Sequence, residues 1–216
     1  MASSKASVRL RVAIVGAGCI GEEHVRRRAV LIKSMPRVAL ADTAPHRRKA
    51  AKERLDELQL QAVEIVDDAA KLLRRTQVDA VVICTPNDTH HSLIAPFVRA
   101  NKHVLVEKPL CTTVAHCVDA EIAAAEVAAA ASDLRAPPLL WCGMEYRYIP
   151  AVARLIREAD AGAIGELKML TIREHRFPFL RKLADWNRLS ARTGGTLVEK
   201  CCHFFDLMRL ILKAEP

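Results

Sequence analysis

Residues 9–21, RLRVAIVGAGCIG, constrain this chain more than any other stretch, because an apolar β-branched run there passes straight into glycines and then a helix. Val12, Ile14 and Val15 read as a strand buried on both faces, as the strands of parallel sheets are. Gly16, Gly18 and Gly21 follow in G-x-G-x-x-G order. Their roles differ. Gly16 makes a tight turn, Gly18 lets the backbone approach a pyrophosphate, and Gly21 lets the helix pack on the strand. The helix that opens there offers unpaired N–H groups and a positive dipole end to phosphates. Three spaced glycines also occur at ordinary strand–helix corners, so the context decides. A second strand over residues 38–41 ends in Asp42, 21 residues beyond Gly21. An acid about 20 residues on is the one that receives adenosine ribose hydroxyls.

Further apolar runs at 62–66, 78–84, 103–106 and 139–143 alternate with helical segments, among them 113–132 and one capped by Asp67–Asp68. Alternation of this kind predicts an α/β fold, a doubly wound parallel sheet of the Rossmann type. Apolar residues make up 51% of the chain and aromatics 4%, which suits helices packed on a sheet better than a β-sandwich. The formal charge of +8 raises a nucleic-acid partner as a possibility. Its arginines fall in short helical clusters (Arg26–Arg28, Arg47–Lys49, Arg74–Arg75) without interleaved aromatics, so solvated helix faces are expected and nucleic acid is not. Seven cysteines without C-x-x-C spacing predict free thiols in a reduced, cytoplasmic protein with no metal site. The longest apolar region, Ile122–Ala131, is interrupted by Glu126 and falls short of the ~20 residues of a bilayer span. The polar start MASSKAS is too short for a signal peptide.

A doubly wound sheet binds its ligand beyond the carboxyl ends of its strands. After the fourth strand come Thr85, Pro86 and Asn87, then His90 and His91; after the fifth come Glu107, Lys108, Pro109 and Leu110. Thr85-Pro86 also suits a plain helix start with Asn87 as its cap. His90 and His91 face solvent or pack inside, and Lys108 reads either as a loop lysine or as a group beside the reactive end of a cofactor.

Gly16-x-Gly18-x-x-Gly21-x-x-His24, Cys84-Thr85-Pro86-Asn87 with His90, and Glu107-Lys108-Pro109-Leu110, in this order and spacing, resemble the glucose–fructose oxidoreductase, inositol dehydrogenase and MocA-like (Gfo/Idh/MocA) family. The resemblance implies a dinucleotide site of Gly16, Gly18, Cys19, Ile20, Gly21, Asp42, Thr85, Pro86, Asn87, His90, Glu107 and Lys108, with Lys108 beside the nicotinamide and the reacting carbon. Residues 144–148 are similar to the family's aromatic and arginine-bearing segment, which makes Tyr146 and Arg147 candidate substrate contacts. Trp186-Asn187-Arg188 resembles a Trp-Arg segment with Asn187 inserted, and adds Trp186 and Arg188. Residues 194–206 match the glycine turn and following helix, whose acid, histidine and aspartate are here Glu199, His203 and Asp206; the spacing of four and three puts them on one helix face. Glu199 stands where most members carry aspartate. A core histidine is the plain alternative for His203.

The implied reaction is NAD(P)-dependent oxidation of a secondary alcohol in a sugar, cyclitol or related polyol, with Lys108, His203 and Glu199 as catalytic residues. NAD is expected over NADP, because Asp42 would face a 2′-phosphate with like charge while Arg47 and Arg48 point to solvent. The alternatives are a nucleotide- or sugar-sensing regulator of the same fold and a catalytically impaired truncated form. The expected division is a nucleotide domain, 1–144, and the beginning of an α+β substrate domain, 145–216, whose first strand is Leu167–His175. Family members continue further, so an incomplete or truncated chain is expected, with homo-oligomers formed by the full-length protein.

Overall fold

The computed structural model describes residues 10–31, 39–60, 63–75, 77–131, 136–175, 177 and 182–215. The N-terminal segment 1–9, the expected strand starts at Val38 and Ala62, the expected helix end at Ser132 and the side chain of Arg28 lie outside this description. Six strands, β1 (Val12–Val15), β2 (Ala39–Ala41), β3 (Glu64–Val66), β4 (Ala80–Ile83), β5 (His103–Glu107) and β6 (Leu140–Gly143), form one sheet in the order β3-β2-β1-β4-β5-β6. Every pairing is parallel. The crossovers run through α1 (Cys19–Leu31), α2 (Pro45–Glu57), α3 (Ala70–Leu73), α4 (His90–Arg99) and α5 (Val114–Ala129).

The near-continuous apolar strands are explained by two cores, one on each face of the sheet. Ala13, Val15, Val81, Ile83, Val104 and Val106 meet Ile94, Phe97, Val98 and Ala120 of α4 and α5. On the opposite face Ile14, Leu40 and Val82 meet Val25 of α1 and Leu55 of α2. Successive residues of a strand point to opposite faces, so an apolar residue is needed at nearly every position. Each fully buried side chain of this size contributes about 1.5–3 kcal/mol. At the carboxyl edge the Gly16 N–H donates to the Ala41 carbonyl (2.7 Å) and the Cys84 N–H to the Val15 carbonyl (2.7 Å), which gathers the ends of three strands around the glycine turn.

Local signals set several boundaries. Pro45 opens α2, the Asp68 carboxylate accepts the Ala70 N–H (2.8 Å) ahead of α3, and Thr113 caps α5 through the His116 N–H (3.2 Å). Basic residues on these helices form ion pairs: Arg26 with Glu22 and Arg27 with Glu23 along α1, and Arg54 of α2 with Glu57 and, across to α1, with Glu22. No helix among the described residues is long and apolar enough to cross a membrane.

Beyond β6 a 3₁₀ turn over Glu145–Tyr148 leads into α6 (Pro150–Asp160). A 3₁₀ segment over Leu183–Arg188 precedes α7 (Ser190–Thr193), α8 (Thr196–Glu199) and α9 (Cys202–Leu212). Two expectations are corrected here. Leu167–His175 forms no strand, since an extended segment needs a neighbour for its N–H and C=O groups and none pairs with it among the described residues. Glu199 and His203 belong to two helices, not one: the N–H groups of Lys200 and Cys201 both turn back to the Thr196 carbonyl (3.0 and 3.1 Å), which ends α8 before α9 begins.

Candidate active site

The glycine turn is built as its spacing requires. Gly16 has φ +101°, and a Cβ there would lie 2.8 Å from the Cys84 carbonyl carbon. A Cβ on Gly21 would lie 1.9 Å from the Gly16 oxygen, so α1 packs directly against the turn. A Cβ on Gly18 would meet only Arg47 Nη1, at 3.3 Å, and the space over this backbone is otherwise open. Cys19 and Ile20 occupy the exposed first turn of α1. Asp42 leans against the same turn, accepting the Ala17 N–H (2.7 Å) and the Ala44 N–H (2.8 Å) with its two oxygens. The open backbone at Gly18, the free start of α1 and the adjacent carboxylate fit a dinucleotide.

Arg47 and Arg48 do not point to solvent. Arg47 reaches back to the Ala17 carbonyl (3.5 Å), and Arg48 donates to the carbonyls of Asp42 (2.7 Å) and Thr43 (2.8 Å). Unsatisfied carbonyls at the strand end attract guanidinium groups from the first turn of α2, where the expectation considered only the helix face.

The turns after β4 and β5 are tied by His90, which is fully buried. Its Nδ1 contacts the Pro109 carbonyl (2.9 Å) and its Nε2 the Thr85 carbonyl (3.0 Å). His90 braces Thr85 against Pro109. Thr85 shares its hydroxyl with Thr89 (2.6 Å), and Pro86 leads into the single 3₁₀ turn over Asn87–Thr89. Asn87 is buried, with Nδ2 unpartnered among the described residues. Glu107 bonds to His24 Nε2 on α1 (2.8 Å).

Lys108 Nζ donates to the Glu199 main-chain oxygen (3.0 Å) and to Glu199 Oε1 (3.3 Å). One turn further on, His203 is 2% exposed and lies flat on Tyr146, with ring centroids 4.0 Å apart and planes 7° from parallel. Its Nε2 is 3.3 Å from Glu145 Oε1, and its buried Nδ1 has no hydrogen-bond partner among the described residues. Burial, followed by the positive charges of Lys108 and Lys200, pushes the imidazole down to about 4. The ring is therefore neutral at physiological pH.

Lys108, Glu199, His203 and Tyr146 thus come together, while three expected site residues are engaged elsewhere. Arg147 forms a bidentate pair with Asp206 (Nε–Oδ2 2.6 Å), fastening the 3₁₀ turn to α9. Arg188 is exposed and lies 3.9 Å from Asp185. Trp186 is buried, with Lys182 Nζ 4.7 Å from its ring centroid. Sequence reasoning missed Glu145, Glu174, Lys182, Arg192 and Lys200. Arg192 reaches Asp88 (3.0 Å) and ties α7 to the turn after β4. Of these, only Lys200 carries a sequence signal, as a charge inside the apolar run that leads into α9. No group of three or more His, Cys, Asp or Glu that could hold a metal ion occurs among the described residues.

Comparison with known proteins agrees with this fold. Residues 10–132 match a family model described as an oxidoreductase family, NAD-binding Rossmann fold, and residues 157–216 match its C-terminal alpha/beta domain. The chain is 36% identical over 209 residues to an inositol 2-dehydrogenase of Saccharopolyspora erythraea, covering 95% of this chain and 55% of the relative. It is 34% identical over 208 residues to one of Rhizobium meliloti, covering 96% and 56%. Among solved structures, a putative myo-inositol dehydrogenase from Sinorhizobium meliloti superposes with a TM-score of 0.76 at 28% identity, over 96% of this chain and 56% of that one. An oxidoreductase domain protein from Kribbella flavida gives 0.74 at 26%, over 96% and 55%. The chain spans about half the length of the curated relatives it matches.

Proposed function

Because this chain belongs to the Gfo/Idh/MocA oxidoreductase family, with an NAD-binding Rossmann fold at its N-terminus, we propose that it serves the oxidation of a secondary alcohol in a cyclitol, sugar or related polyol. The observation that carries this reading is the meeting of Lys108 and Glu199 beside a neutral, buried His203. Similarity to inositol 2-dehydrogenases makes a cyclitol the first substrate to test. In the same reading the nucleotide domain ends at residue 144, just after β6, and the substrate domain begins at 145.

When bound, NAD supplies the hydride acceptor. The protein's own part is the hydroxyl proton and the charge left behind. His203 accepts the proton as the carbon gives up its hydride, and its neutral form keeps it competent to do so. An ammonium has three donors, and Lys108 spends two on Glu199, so one remains for the oxygen that becomes an alkoxide. Glu199 aims Lys108 and leaves carboxylate capacity for a second substrate hydroxyl. Gly18, the start of α1 and Asp42 receive the pyrophosphate and ribose, and His90 acts indirectly by fixing Thr85 against Pro109.

A sensor of the same fold would need the glycine turn and Asp42 but not the lysine, acid and histidine together. The test is NADH formation by the full chain with a panel of cyclitols and sugars, beside NADH binding followed by fluorescence. Turnover with a cyclitol is the expected result, and tight NADH binding without turnover of any polyol would overturn the enzymatic reading.

A further inference from the structure

The mechanism above leaves the buried Lys200 unused. Lys200 is 6% exposed, and its Nζ donates to the Tyr146 hydroxyl and to the two Glu174 oxygens (3.1 and 3.0 Å). The Tyr146 hydroxyl in turn donates to Glu174 Oε1 (2.8 Å). The ammonium lies 4.4 Å from the Tyr146 ring centroid and 5.4 Å from that of Phe204. On its other side, Tyr146 lies flat on His203.

We propose that Lys200 is a positioning residue for His203: its buried ammonium clamps Tyr146 by the hydroxyl, the clamped ring fixes the plane of the imidazole, and the ammonium itself disfavours a second positive charge nearby. The role of His203 as the proton acceptor rests on the function proposed above; the clamp itself rests on the contacts just given.

Burying an ammonium costs several kcal/mol, and the cost is tolerated where good hydrogen bonds and a counter-charge repay it. Glu174 provides the counter-charge. Pairing with that carboxylate alone would need no tyrosine, yet the tyrosine hydroxyl is shared by both partners. Its two hydrogen bonds hold the hydroxyl end of the ring in place, so the position of the ring stacked on His203 is set from that end. The chain's local geometry supports the arrangement: Glu199 and Lys200 are consecutive at the break between α8 and α9, and they reach in different directions, Glu199 to Lys108 and Lys200 to Tyr146.

His203 is faced by Glu107 at the end of β5 and Lys108 just after it, by Glu145 and Tyr146 from the 3₁₀ turn, and by Asp206 and Lys200 from its own helix and the break before it. The carboxylates favour a charged ring and the lysines oppose it. Removing Lys200 therefore tips the balance toward the imidazolium, while a lysine with a merely structural role would leave the ring's titration where it is.

The test uses the full chain with isotopically labelled histidine, following the His203 ring by NMR as pH is varied, the signal being identified by its loss in His203→Gln. Lys200→Met should raise the titration midpoint by about one pH unit, the effect of removing a nearby like charge. Lys200→Gln, which keeps a donor for Tyr146 but no charge, should do the same and stands in if the methionine variant does not fold. Lys200→Arg should restore the original midpoint. A midpoint unmoved in the folded, charge-removing variant overturns the proposal. Polyol turnover separates the two readings: if the midpoint moves and His203→Gln retains turnover, the influence of Lys200 on His203 stands and the assigned base falls. If it does not move and His203→Gln abolishes turnover, the base stands and the influence of Lys200 falls.

Discussion

A cation that must meet a growing alkoxide works best when its position does not depend on a rotatable partner, and Lys108 has such an anchor in the main-chain oxygen of Glu199 (3.0 Å), with the carboxylate as a second contact (3.3 Å). Glu199→Gln therefore keeps the anchor, and Lys108→Ala loses everything. We expect Lys108→Ala and His203→Ala each to lower turnover by about 10²- to 10⁴-fold, the usual scale of a lost acid–base or charge-stabilising group, while the Kd for NADH changes little. Steady-state rates beside fluorescence binding check this, and full activity in His203→Ala would remove it as the base. The pH dependence has a definite sign. The His203 imidazole is held down at about 4, so the neutral, proton-accepting form persists above that value and is lost as pH falls through it. The acid limb of kcat/KM should consequently lie well below the ordinary histidine value of about 6.5, and a limb near that ordinary value would contradict the buried environment.

At the scale of elements, the corner of β1 and α1 depends on contact distance. Gly21→Ala would put a methyl 1.9 Å from the Gly16 oxygen, so helix and turn must separate. Overpacking of this kind costs about 1–3 kcal/mol, and we expect a lower Tm by circular dichroism together with weaker NADH binding. This corner was legible in the sequence because all of its parts lie within ten residues, as was the Asp67–Asp68 cap ahead of α3. Elements that depend on distant partners were not. Residues 167–175 have a strand's composition but no neighbour to complete a ladder among the described residues. The four-and-three spacing of Glu199, His203 and Asp206 suggested one helix, yet the turn back to the Thr196 carbonyl breaks it at Lys200. The clamp on Tyr146 joins residues 54 and 28 apart in sequence, and nothing local announces it. Arg47 and Arg48 were misread for a related reason: helix position says which face a side chain leaves from, not which carbonyl a long side chain returns to.

For the molecule as a whole, the sheet ends at β6, where Leu139 just before the strand and Trp141 within it are 63% and 51% exposed. An apolar sheet edge of this kind invites strand-to-strand association. Concentration-dependent self-association is expected on size-exclusion chromatography, and Trp141→Lys should reduce it; an unchanged elution profile would place the contact elsewhere. A different long-range consequence follows from the bond between His24 on α1 and Glu107 at the end of β5, next to Lys108, 2.8 Å long and spanning 83 residues of chain. In the function proposed above it ties the element that would receive phosphate to the one that would meet the alcohol, and we expect occupancy at one end to carry a free-energy consequence at the other. Thermodynamic reciprocity fixes its form: whatever factor the dinucleotide applies to polyol affinity, the polyol must apply to dinucleotide affinity. Calorimetric titration of each ligand with and without the other should return one common factor, and His24→Ala should bring it toward unity from both directions at once.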